Sequence, residues 1–244
     1  YRRDADSFKQ IPGTPIAYWA SDAMLNAFKN GSPFRALSTP KQGLATADNN
    51  RFVRMWWEVS DSRSNVAASS NGDGARKWVP MTKGGEFRRW FGNLEFVVNW
   101  DNDGHEIKNF VVDGKLKSRP QNVDSYFKPG LTWTAISSGL FCMREMPPGL
   151  IPNAKGPVCV VTNISKRLVY LALVNSSSFM RLLTILAPTL DYSQGPVGAV
   201  PVPSNELSEQ SASILGISSQ CVSASKSDWD SIETSWNFKH SPLT

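Results

Sequence analysis

Three features of the sequence predict an α+β fold. From about residue 34 to 161 the apolar residues come in short β-branched and aromatic runs, among them "RFVRMWWEV", "KWVPM", "LEFVVNW", "LTWTAISS" and "PVCVVT", divided by Gly, Asn, Asp and Pro. After Asn163 the apolar period lengthens to that of a helix. The 244 residues can bury a substantial core, and no run reaches the roughly 18 apolar residues that a membrane crossing requires. The expectation is a strand-rich domain with an antiparallel helix pair near 164–187.

Taken in order, "IPGTPIAYW" (11–19) is punctuated by Pro and Gly and reads as an extended connection. "SDAMLNAFKNG" reads as a helix, with Ser21 as N-cap, Met24, Leu25 and Phe28 at helical spacing, and Gly31 as its stop. Within the strand-rich half, "ASSNGDGA" (68–75) and "DNDG" (101–104) carry the clearest turn chemistry. "ISKRLVYLALVNS" places Leu168, Leu171 and Ala172 on one helical face. "FMRLLTILAP" follows at once and stops at Pro188. A few serines between two helices predict an antiparallel pair. "GAVPVPS" reads as an edge strand or extended segment, since its prolines cannot donate to a ladder. "ELSEQSASILG" is weakly helical, and "SDWDSIETSWNF" is acidic with two tryptophans.

The net charge is +5, and its placement matters more than its size. Residues 1–120 hold 18 Lys and Arg against 13 Asp and Glu, whereas residues 121–244 hold 8 against 8. The excess lies wholly in the first half, as a surface facing a polyanion requires. Cys142, Cys159 and Cys221 are odd in number and widely spaced, and only His105 and His240 could join them. That pattern makes neither a disulfide framework nor a zinc site and suits a reducing cytoplasm.

Several chemistries are excluded by spacing. In "KGGEFRRWFG" (83–92) Lys83 precedes Gly84 and Gly85, the reverse of a Walker loop, and no Gly-x-Gly-x-x-Gly occurs. Pro147-Pro148 lies between Met146 and Gly149, without the flanking Asn or Asp and aromatic that clamp a flipped adenine. Glu106-Ile107-Lys108, with Asp101 and Asp103 upstream, has the ingredients of a metal-dependent nuclease, but no strand clearly precedes it. No catalytic, cofactor-binding or metal-binding residue is therefore expected in this chain.

A recognition surface remains. "KQGLATADNNRFVR" offers Lys41, Gln42, Thr46, Asn49, Arg51 and Arg54 in a loop entering a strand. Amide side chains can pair with adenine edges, arginine with guanine, and lysine with phosphate. "KGGEFRRWFG" adds Lys83, Arg88 and Arg89, with Trp90 and Phe91 as core or sugar-packing residues. "GKLKSRPQN" adds Lys115, Lys117, Arg119 and Gln121. If these three loops share one face, they form a groove-facing edge.

On "IPGTPIAYW", "KQGLATADNNRFVRMWWEV", "KWVPMTKGGEFRRWFGNLEFVVNWDNDG", "KSRPQNVDSYFKPGLTWTAISS" and "DWDSIETSWNF", which span nearly the whole chain, the sequence resembles the PglX family. These are adenine-specific DNA methyltransferases of BREX phage-defence systems. "LVYLALVNSSSFMRLLTILAPTLDYSQGPVGAVPVP" is similar to the helix pair and Leu-Pro-x-Pro ending of TaqI-like and type I specificity domains, with Val200 in place of the usual leucine. Ala47 stands where a glycine is expected in the "GLATADN" turn. The family's methyl-donor motif and Asn-Pro-Pro-Tyr loop do not occur in the chain.

The resemblance implies a C-terminal target-recognition part, with residues 1–20 a connector from a catalytic domain, 21–203 the recognition domain and 204–244 a tail leading to a next domain. It implies double-stranded DNA, the parent's catalytic domain and other BREX proteins as partners, no membrane, and S-adenosylmethionine as the cofactor of the parent alone. Two alternatives stand beside it. One is the specificity half of a type IIG-like restriction-modification enzyme. The other is a protein-docking module working through the 228–238 tail, which an exposed tryptophan pair would favour.

Overall fold

The computed structural model describes residues 4–66, 76–161, 163–203 and 211–241. The Asn- and Gly-rich turn at 68–75 lies outside them. Among the described residues helix makes up 39% and strand 21%, and ten of the twelve strands fall within 34–161. The α+β expectation therefore holds, with the longer helices gathered at the two ends of the chain.

Helix α1 (Asp22–Asn30) begins where the sequence places it, with the Ser21 hydroxyl accepting from the Met24 N–H at 3.3 Å. Gly31 ends it in an extended conformation, not a left-handed one. Its glycine is demanded by proximity, because a Cβ there would stand 2.9 Å from the Pro201 side chain. Strand β1 (Ser32–Pro33) pairs antiparallel with β12 (Pro201–Val202), so "VPVP" does form the short strand expected of it.

Two four-stranded sheets carry the middle of the chain. The first runs β10 (Ile151–Pro152), β4 (Trp78–Thr82), β5 (Phe96–Asn99) and β3 (Val53–Met55), with only β10 and β4 parallel. The second runs β2 (Ser38–Lys41), β11 (Val158–Val161), β8 (Gly130–Trp133) and β9 (Met143–Met146), all antiparallel. The turn from β10 to β11 joins the sheets, where the Thr82 hydroxyl donates to the Gly156 carbonyl at 2.6 Å. Leu44 also bridges to Asn153 beside that turn.

The second sheet buries both faces, as its side-chain alternation requires. Leu131, Trp133, Met143, Cys159 and Val161 face the helical layer of α4 (Arg167–Val174), α5 (Ser177–Leu186) and α6 (Gln194–Ala199). Met146 and Val158 face the other way, into a cluster with Phe91, Leu94, Leu150 and Trp229. The first sheet has its own core, built on Phe52, Val79, Met81, Val98, Trp100, Ile107 and Tyr126.

Helices α4 and α5 are the predicted pair, but the chain bends by 66° between them instead of reversing. The break is only Asn175 and Ser176. Ser176 caps α5 through the Phe179 N–H at 3.2 Å. Asn175 bonds both the N–H and the carbonyl of Met143, at 2.9 and 3.0 Å, pinning the break to the edge of β9. Both helices thus contribute to the core on one face of the second sheet. The buried face of α4 also differs from the expected Leu168, Leu171 and Ala172. Val169, Tyr170, Leu171 and Val174 are the buried residues, because α4 is held between the sheet and helix α7 (Ser211–Asp230).

Both termini pack more closely than their composition suggests. Phe8, Ile11, Ala17 and Ala20 are buried with Leu25 and Ile185. At the other end Trp229 is 5% exposed, Trp236 packs against the same cluster, and the Trp56 indole donates to the Thr234 carbonyl at 2.8 Å. The tryptophan pair is therefore an intramolecular anchor. Among the described residues no single helix is long and apolar enough to cross a membrane.

Candidate nucleic-acid interface

The first candidate loop is built on a left-handed residue. Ala47 has φ +63°, so the turn keeps the conformation that favours glycine although alanine occupies it. Asp48 then caps the short helix α2 (Asn49–Phe52), accepting from the Arg51 N–H at 3.0 Å. Replacing Ala47 with glycine relieves that strain, and chemical denaturation of A47G is expected to show a gain of about 0.5–1 kcal/mol. A loss of stability would mean that the left-handed turn is absent.

The side chains of this loop divide sharply. Thr46 is 5% exposed, with its hydroxyl given to Asn49 Oδ1 at 2.6 Å, so it faces inward and not toward a ligand. Lys41 forms an ion pair with Asp124, which holds the aspartate below its ordinary range. Arg54 donates to the Asn50 and Val53 carbonyls at 2.6 and 2.7 Å. Arg51 is exposed but braced, bonding Glu106 at 2.8 Å with its guanidinium 5.0 Å from the Phe110 ring. Gln42 is half-buried and Asn49 exposed.

The third loop meets the first directly. Ala45 and Arg119 exchange backbone hydrogen bonds of 3.0 and 2.8 Å, and the Asn122 amide donates to the Gln42 carbonyl at 2.9 Å. Between them rises a hairpin of β6 (Val111–Val112) and β7 (Lys115–Leu116). Asp113 and Gly114 at its tip both have positive φ, 52° and 70°, the geometry of a two-residue type I′ turn. Lys115, Lys117 and Arg119 are exposed, and among the described residues none has a carboxylate partner; Gln121 beside them is half-buried.

The second loop stands apart. Lys83 lies over the Phe96 ring at 4.4 Å, and burial lowers its pKa. Arg88 pairs with Asp228 at 2.7 Å and stacks 5.1 Å from the Trp229 ring. The carbonyls of Arg89 and Phe91 accept from the Ser225 hydroxyl at 2.9 and 3.1 Å. Phe91 is core, and Trp90 is half-buried with φ +72°. Arg89 is the exposed cation of this loop, 5.4 Å over the Phe87 ring. Among the described residues no hydrogen bond or ion pair joins positions 85–92 to either of the other loops. The structure thus unites two of the three loops and ties the third to α7, which residue types alone did not reveal.

Beneath the second loop lies Arg144, 1% exposed, with its Nε lacking a hydrogen-bond partner and its pKa lowered to about 10 by burial. It bonds the Arg88 carbonyl and the Thr134 hydroxyl, each at 3.3 Å. Sequence reasoning missed it, because an Arg inside "CMREM" reads as the solvent side of an alternating strand. Nearby, burial raises the Cys142 thiol, and it pushes Cys159 up to about 12. Cys221 is half-exposed. At pH 8 a thiol reagent is expected to label Cys221 quickly and the other two only on unfolding. Three equally fast thiols would contradict this packing.

The nuclease ingredients do not assemble. A strand, β5, does precede them, contrary to the sequence reading. Asn102, Asp103 and Gly104, however, form a left-handed turn, Glu106 is engaged by Arg51 and Asn99, and Lys108 pairs with Asp103 at 2.7 Å. Among the described residues no group of His, Cys, Asp or Glu is disposed to hold a metal ion. Met146-Pro147-Pro148-Gly149 is likewise a turn, with Met146 fully buried and Gly149 bonding the Phe127 carbonyl at 2.9 Å. No Asn, Asp or aromatic flanks the Pro147-Pro148 pair to hold a flipped adenine.

The molecule is thus an α+β module in which two of the three loops rich in cations and amides are joined to each other. No family model matches the chain. It is 33% identical over 242 residues to the adenine-specific methyltransferase PglX of Lacticaseibacillus casei (strain Zhang), covering 98% of this chain and 20% of that protein. It is 37% identical over 242 residues to the adenine-specific methyltransferase BrxX of Escherichia coli O9:H4 (strain HS), covering 98% of this chain and 18% of that protein. The chain is homologous to a segment of these adenine-specific methyltransferases and spans about a fifth of their length.

Proposed function

We propose that the chain is a double-stranded DNA target-recognition module of an adenine-specific methyltransferase acting in phage defence. The observation that carries this reading is the union of the 41–54 and 114–122 loops through the Ala45–Arg119 and Asn122–Gln42 bonds. It supports the reading because it joins at the backbone the loop carrying Gln42 and Asn49 to the loop carrying Gln121 and three cations that, among the described residues, have no carboxylate partner. Affinity comes from phosphates and the release of their counterions, and selectivity from base edges. S-adenosylmethionine and the transfer step belong to other parts of such a protein. The chain itself binds and orients DNA, in the cytoplasm, beside a catalytic domain and other defence proteins.

The type IIG-like alternative shares this surface and differs only by a nuclease elsewhere in the protein. The docking-module alternative loses its main support, because Trp229 and Trp236 pack onto their own domain. The test is binding of a fluorescent random-sequence duplex of about 30 base pairs across a salt series. Measurable binding with log K falling linearly in log salt is expected. Binding indifferent to salt, or none at the lowest salt, would refute the proposal.

A further inference from the structure

The hairpin β6–β7 carries more than charge. Val111 and Leu116 are direct cross-strand partners and are 54% and 57% exposed; Val112 opposite Lys115 is 39% exposed. Two aliphatic side chains side by side on one face of a projecting ribbon gain nothing from folding, since they leave their apolar area in water. A two-stranded ribbon is itself only marginally stable in water, so its tip draws little support from its own packing. Its base, by contrast, is held firmly. The Lys117 N–H bonds the Phe110 carbonyl at 2.9 Å, the Ser118 hydroxyl bonds the Ile107 carbonyl, and Arg119 is fixed to Ala45. The ribbon is therefore anchored at its base, and the Val111–Leu116 pair next to that base is left exposed.

The flanking charge indicates what its occupant must be. Lys115 and Lys117 flank Leu116 in sequence and alternate to the other face of the ribbon, and Arg119 follows at its base, against a single acid, Asp113, at the turn. A polyanion that also presents an isolated apolar group fits both features. The major groove of B-DNA is about 12 Å wide and admits a two-stranded ribbon. The apolar group that its base edges present there is the 5-methyl of thymine.

Resting on the DNA-recognition reading above, we propose that the β6–β7 hairpin enters the major groove and that Val111 and Leu116 read thymine 5-methyl groups. Lys115 and Lys117, on the other face of the ribbon, and Arg119 at its base reach the flanking phosphates with their long side chains.

The experiment selects duplexes from a random-sequence pool with the whole 244-residue chain and compares the enriched sequences. The same pool is also prepared with deoxyuridine in place of thymidine, which removes every 5-methyl and leaves base pairing intact. Wild type is expected to enrich a thymine-containing motif from the first pool and to lose those positions from the second. V111S/L116S is expected to lose the same positions in the thymidine pool and to respond no further to deoxyuridine. Its affinity for the unselected pool, set by phosphates, should fall less than about threefold. The deoxyuridine comparison uses wild-type protein alone, so it stands even if the variant folds poorly.

Identical motifs from both pools, or a V111S/L116S motif equal to that of wild type, would overturn the hairpin proposal while leaving DNA recognition intact. Failure of wild type to bind either pool would overturn the underlying reading as well.

Discussion

Replacing Trp229 with alanine is expected to cost about 3–5 kcal/mol of stability, the range for deleting a fully packed large aromatic. Trp229 is 5% exposed among Phe91, Leu94, Met146, Leu150 and Val158, and the Arg88 guanidinium covers its ring. Even the neighbouring backbone has closed around it, since a Cβ on Gly92 would stand 3.0 Å from the indole. The cavity left by alanine cannot easily collapse, because strands β9 and β11 form its floor. Thermal unfolding followed by circular dichroism should show a melting point lower by about 10 °C for a domain of this size. Asp228→Ala is the control. It removes only the partly exposed ion pair with Arg88 and is expected to cost less than about 1 kcal/mol. A small effect of W229A would mean that the C-terminal helix is not part of the fold, and that the 83–92 loop is free of it.

The triple variant K115A/K117A/R119A is expected to weaken binding of a random-sequence duplex by about 10²-fold near 0.15 M salt. It should flatten the slope of log K against log salt by about three units. The reason is that these three side chains are exposed and, among the described residues, without carboxylate partners, so each is available to displace a counterion from a phosphate. Lys41→Ala makes the contrasting case. Its ammonium is already engaged by Asp124, and its removal should change affinity by no more than about twofold. Residue type alone ranks Lys41 with the other three, so the difference between the variants tests the tertiary arrangement directly. Equal losses from K41A and from a single hairpin lysine would show that the Lys41–Asp124 pair opens on binding. An unchanged salt slope in the triple variant would remove the hairpin from the interface.

Much of the local structure was legible because it rests on short-range physics. The Ser21 cap, the β-branched runs of β4, β5 and β11, and the turn chemistry at 101–104 each depend on a few neighbouring residues. The left-handed turn at Ala47 was not legible, since alanine in place of the expected glycine argues against positive φ, yet the fold holds it at +63°. The helix pair at 164–187 was legible as two helices, since period and Pro188 decide that locally. The 66° bend between them was not, because Asn175 sets it by binding Met143, 32 residues away in the chain.

The candidate site divides along the same line. Sequence by itself determined which loops carry cations and amides, that the positive excess lies in the first half, and that the motifs for a methyl donor and a flipped adenine are missing. It also carried the PglX-family likeness, which the relatives bear out over nearly the whole chain. Tertiary structure alone decided which cations are free. Lys41 is consumed by Asp124, Arg88 by Asp228 and Trp229, and Arg51 is braced by Glu106, whereas Lys115, Lys117 and Arg119 are exposed and have no carboxylate partner among the described residues. The physical reason is range. A side chain's chemistry is fixed by its own atoms, but whether that chemistry is spent depends on partners that lie 83, 140 and 55 residues away in sequence, and only folding brings them together.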